Sequence, residues 1–115
     1  MEKMIALVFL GAELARRAHL RTGSRSDHQA LKELYESLGD RADRLAEVYM
    51  GYAGKKLGDI PLLDNEFPGN VEDVLEQQAA WIEDNRPDAP SFIQNIIDEV
   101  LADYYAVIYQ LRELA

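Results

Sequence analysis

Only a handful of side chains in this sequence could do chemistry. There are two histidines, His19 and His28, and a carboxylate pair one helical turn apart, Asp43 and Glu47. Imidazole nitrogen and carboxylate oxygen together suit iron or zinc, and an Fe(II) centre with open positions can bind an oxidant. A second group is cationic: Arg16, Arg17, Arg21 and Arg25 fall close together and could hold an anion. There is no cysteine, which removes disulfides, thiolate metal ligands and a cysteine nucleophile.

These residues need elements to position them, and the apolar spacing predicts four helices. The first covers about 2–20 and ends in RTGSRSD, where Gly23 breaks it and Ser24 or Ser26 can cap the next helix. The second covers about 27–53. His28, Leu31, Tyr35, Leu38, Ala42, Leu45, Tyr49 and Tyr52 recur at alternating steps of three and four, the seam of a bundle. Gly39 inside it suggests close packing or a slight bend. Residues 53–69, rich in glycine and proline, cannot continue that helix. The third helix starts after Asn70, a good N-cap, and reaches about residue 85; the fourth covers about 91–114. The fourth has an apolar face broad enough for two neighbours, from which a homo-oligomer, at least a dimer, is expected.

The links set the topology. Two are short and make antiparallel neighbours. The third, about sixteen residues, can stretch roughly 50 Å, enough to pass back along a whole helix. An all-α, ferritin-like four-helix bundle is expected, with short first and last turns and a long central crossover.

On such a helix His28 and Asp43 lie roughly 22 Å apart along the axis. One metal ion cannot be bound by both within one chain, so a shared site needs a second subunit. Asp43 and Glu47 also point away from the Leu31–Leu38–Leu45 seam, whereas His19 lies across a short turn from His28 and can join it. Other roles for these groups are a packed or capping His28 and a His19 that complements a helix C-terminus.

The stretch DHQALKELYESLGDRADRLAEVYMG, with His28, Asp43 and Glu47 in it, resembles the Dps branch of the ferritin-like superfamily. AHLRTGSRSDH resembles the same family's entry to its second helix. The resemblance implies iron between subunits, with His19 and His28 from one chain and Asp43 and Glu47 from its neighbour. It implies ferroxidase activity or iron sequestration. Lys32 stands where the family has an acid, and the turn between the histidines is short. Arg21-x6-His28 also loosely resembles the Arg-x(4–6)-His motif of HEPN nucleases.

Composition bounds the partners. The net charge of −9 makes DNA an unexpected partner. Residues 1–56 carry a balance of +2 (ten Lys/Arg, eight Asp/Glu), and residues 57–115 one of −11 (two against thirteen). The apolar run from Met4 to Ala12 is too short for a membrane span, which needs roughly 20 residues. It lacks the flanks of a signal peptide, so a cytoplasmic location is expected. The alternative to an iron protein is a non-catalytic helical oligomer that binds a protein or a small anionic ligand, an accessory factor of a size common in phages.

Overall fold

The computed structural model describes residues 1–114 and, among them, four α-helices and no strand. They are α1 (Glu2–Arg21), α2 (Arg25–Ala53), α3 (Val71–Asp84) and α4 (Ser91–Glu113). Three of the starts and stops have visible local causes. Ser24 Oγ accepts from the Asp27 N–H at 3.1 Å and opens α2 two residues before Asp27, supplying one of the acceptors that the unpaired donors of a helix start require. Gly54 closes α2 in the left-handed region (φ 71°), where a side chain would be strained. Asn70 caps α3 through a 3.0 Å bond from the Asp73 N–H, with Glu72 and Asp73 facing the positive end of the dipole.

Met4 and Val8 of α1, Leu45 of α2, Ile82 of α3, and Ile97 and Val100 of α4 meet in one core layer. The starts of α1 and α4 therefore share a bundle end with the finishes of α2 and α3. Each helix packs against two others, α1 on α2 and α3, and α4 on α2 and α3. All four contacts are antiparallel. Residues 54–70 must then return along the length of the bundle to begin α3. They run over α1, where the Gly58 N–H donates to the Glu2 carboxylate at 2.8 Å, and reach Pro68, whose carbonyl accepts from the Gln77 amide. The molecule measures 46 × 25 × 22 Å. Its long axis matches α2, about 43 Å at 1.5 Å per residue.

Several expectations need correction here. Leu31, Leu38, Ala42 and Leu45 of the predicted seam are buried, together with Ala30, Leu34 and Ala46, but His28 and Tyr52 are not. His28 lies in the first turn of α2, before that helix has a core to face. At Gly39 a Cβ would meet nothing within 4 Å, so close packing is not its purpose. The broad apolar face of α4 is used inside the chain, with nine residues from Ile93 to Leu111 buried against α2 and α3. It no longer argues for a second subunit.

One polar contact ties the core together. Tyr104 on α4 donates its hydroxyl to Gln78 Oε1 on α3 at 2.8 Å, and both are fully buried. Burial raises the Tyr104 pKa far above the usual phenol range, so the hydroxyl stays protonated. Gly11 on α1 makes room for this pair, since a Cβ there would press on the hydroxyl and lie 2.6 Å from Gln78 Oε1.

Candidate functional site at the first helical turn

The α1–α2 turn brings the two histidines together. Their ring centroids are 4.4 Å apart and tilted by 38°, and the Tyr35 ring lies 5.1 Å from His19. His28 Nδ1 is 2.7 Å from the His19 carbonyl oxygen. A carbonyl only accepts, so Nδ1 donates a proton in this bond. That bond also satisfies one of the carbonyls that the end of α1 leaves unpaired. His28 therefore has a structural use.

His19 is 8% exposed, and its Nδ1 has no hydrogen-bond partner. Its pKa is lowered, first by burial and then by the nearby charges of His28, Arg16 and Lys32. The imidazole is neutral at pH 7.

The arginines around it differ in how much they are held. Arg16 stacks its guanidinium 4.7 Å from the Tyr35 ring centroid. Arg17 pairs with Glu13 one turn earlier, at 3.0 Å, in full solvent. Arg21 and Arg25 are exposed and have no carboxylate partner among the described residues. No hydrogen bond links Arg21 to His28.

The predicted carboxylates stay apart from the histidines. Asp43 and Glu47 are exposed on the far half of α2, roughly 22 Å from His28 along the axis. Among the described residues, no group of three or more His, Asp or Glu side chains is placed to hold a metal ion. The turn alone offers two nitrogen donors, and Arg16 and Lys32 oppose a cation there. No helix among the described residues is long and apolar enough to cross a membrane.

Sequence reasoning missed three arginine clamps. Arg41 on α2 holds Asp103 (2.7 Å) and Glu99 (2.5 Å) of α4. Arg86 holds Glu83 (3.1 Å) and Asp98 (2.5 Å), and Arg112 holds Asp73 (3.1 Å) and Glu76 (2.9 Å). For Arg86 and Arg112 the signal in the sequence is scarcity, because they are the only two cations among thirteen acids after residue 56; Arg41, one of ten cations up to that point, carries no such signal. Gln78 was also overlooked, although it interrupts the otherwise apolar spacing Val74, Leu75, Ala79, Ile82.

Residues 19–111 match a family model described as "Family of unknown function (DUF5856)". Enterobacteria phage T4 has a relative, described as an uncharacterized 14.6 kDa protein in the mobD-ri intergenic region. It is 28% identical over 98 residues, covering 82% of this chain and 73% of that protein. No solved structure matches. The family found is not a ferritin-like one, and this overturns the resemblance to the Dps branch. The His-x14-Asp-x3-Glu spacing that suggested it is met by one long amphipathic helix with a capping histidine at its start.

Proposed function

The chain belongs to the DUF5856 family, whose function is unknown, and we propose that it is a non-catalytic four-helix module that binds anionic groups at its α1–α2 turn. One observation carries this reading. Arg41, Arg86 and Arg112 are each held by two carboxylates, whereas Arg21 and Arg25 are held by none and, unlike the equally unpaired Arg44, which sits one turn from Asp40 and Glu47 on α2, lie at a turn shared with Arg16 and Lys32. An arginine without an internal partner keeps all five donors for a carboxylate or phosphate from outside. Lys32 and Arg16 add positive potential, and the chain's acidic half repels the same ligand elsewhere. The chain path, two hairpins joined by one long crossover, supports a ferritin-like reading of the scaffold in connectivity but not in kinship.

The test is a titration of isotope-labelled protein with inorganic phosphate and, separately, with an acidic peptide. Amide shifts should concentrate at 19–32, weaken with added salt, and vanish in the Arg21→Glu/Arg25→Glu double variant. Shifts absent with both probes, or unchanged in the double variant, would sink the proposal.

A second reading keeps iron. His19 Nδ1, which has no hydrogen-bond partner, and His28 Nε2, the ring nitrogen not bonded to the His19 carbonyl, are two nitrogens that could ligate a metal. Asp43 and Glu47 of another copy would have to supply the oxygens. Metal analysis of untagged protein decides it: iron lost in both His28→Ala and Asp43→Ala supports the reading, and metal-free protein after reconstitution with Fe(II) removes it.

A further inference from the structure

The outward face of α1 carries a pattern the bundle does not use. Phe9, Glu13, Arg16 and Leu20 follow one another at steps of four, three and four, within about 60° of one another around the helix. That is the spacing of a coiled-coil seam, set away from the buried side of α1, with only Arg16 reaching back to Tyr35 of α2. Phe9 is 41% exposed and Leu20 72% exposed, large values for apolar side chains on an ordered helix. Beside them the crossover and α1 enclose a groove of about 430 Å³ lined by Phe9, Leu10, Ile60 and Leu62, with Glu13 on its edge.

We propose that this face is the interface of a two-fold dimer in which α1 packs antiparallel against α1 of a second copy. The order of residues selects both partner and direction. The stripe reads apolar, acidic, basic, apolar, and its antiparallel reverse is its own complement. With the two-fold axis near Leu14, Phe9 meets Leu20 of the second copy, and Glu13, which pairs with the exposed Arg17 of its own chain, meets Arg16 of the second copy. Both pairs then occur twice, as an isologous interface requires. Parallel pairing instead sets Glu13 against Glu13 and Arg16 against Arg16, which repels. In this dimer Leu20 of the second copy would sit beside Phe9 at the edge of the groove, while Arg16 keeps its stacking on Tyr35. Arg21 and Arg25 lie outside the four-residue stripe, so the dimer and the anion reading stand or fall separately.

The experiment uses the full chain at tens of micromolar in a sedimentation-equilibrium measurement. Wild type is expected as a dimer. Glu13→Arg and Arg16→Glu should each raise the dimer dissociation constant by about tenfold or more. The combined E13R/R16E variant should recover most of the loss, because the reversed stripe is again self-complementary. All four positions are exposed or lie on the outer face, and circular dichroism verifies that each variant stays helical. The chain has no cysteine, so the register can be read directly by oxidising mixtures of Phe9→Cys and Leu20→Cys proteins. Crosslinks between the two variants are expected. A monomeric wild type, a dimer indifferent to both single reversals, or Leu20→Cys joined to itself as the main product would each overturn the proposal.

Discussion

The α2–α4 side of the bundle and the α1–α2 turn treat their charges in opposite ways. On the first, Arg41 is about a third exposed, bonded to Asp103 and Glu99, and Asp103 also accepts from the Ser37 hydroxyl. Its guanidinium is held further in the charged state, first by the hydrogen bond to Asp103. At the turn, Arg21 and Arg25 have no such partners, and the buried Nδ1 of His19 has none either. The first arrangement fixes the register of two helices. The second adds little to the fold and leaves polar groups available, which is the condition a binding surface needs and a structural one avoids. The difference separates what holds the bundle from what the bundle can offer.

The largest expected effect belongs to the fixed side. Gly11→Ala presses a methyl group onto the Tyr104–Gln78 pair, and unfolding free energy by urea should fall by ~1–3 kcal/mol, as for other overpacked cores. A wild-type value would mean that α1 can shift away from the pair freely, and the core would then be less fixed than the turn.

Next comes the clamp itself. Arg41→Ala leaves Asp103 with only Ser37, and should cost ~1–2 kcal/mol once solvent screening of the exposed Glu99 is allowed for. Arg41→Lys should recover only part of this, because an ammonium cannot reach both carboxylates in the same planar fork. Equal stability of the lysine variant and wild type would show simple charge, not geometry, at work.

Both regions also show what could be read without coordinates. The four helices were legible because their apolar steps and caps are local, as at Ser24 and Asn70. The approach of His19 to His28 was legible for the same reason, since three residues of turn leave the rings little freedom to part. Asp43 and Glu47 were placed outward by helical angle alone. The clamps were not legible. Which acid meets Arg41 depends on the axial register of α2 against α4, sixty residues along the chain, and periodicity does not encode that offset. His28 was misplaced because a seam drawn by spacing takes no account of where the neighbouring helix ends. The Dps likeness failed on similar grounds, resting on spacings that helical geometry makes common.

The turn has its own pH signature. Burial and neighbouring cations depress the His19 pKa below its ordinary 6.5, so the unfolded chain binds this proton more readily than the folded one. His19 should thus favour folding above about pH 6.5, and that advantage should fade as pH falls through the depressed value. Melting temperature followed in chelator from neutral pH to pH 5 should decline, and the decline should shrink in His19→Gln. The carboxylates Glu2 and Glu76 carry the same sign but act below their ordinary 4.5, outside that window. A slope unchanged in the variant would assign the proton to another group.

The smallest stability effect should come from the two arginines that matter most for binding. Arg21→Ala and Arg25→Ala remove no partner, so each should stay within ~0.5 kcal/mol of wild type in urea. The same variants should lose most of the phosphate or acidic-peptide response at 19–32. That dissociation, with folding intact and binding gone, is the reverse of what Arg41→Ala should give. If Arg21→Ala or Arg25→Ala instead destabilises as much as loss of the Arg41 clamp, the turn is a structural element like the other side. The contrast between held and unheld cations would then no longer indicate a binding surface.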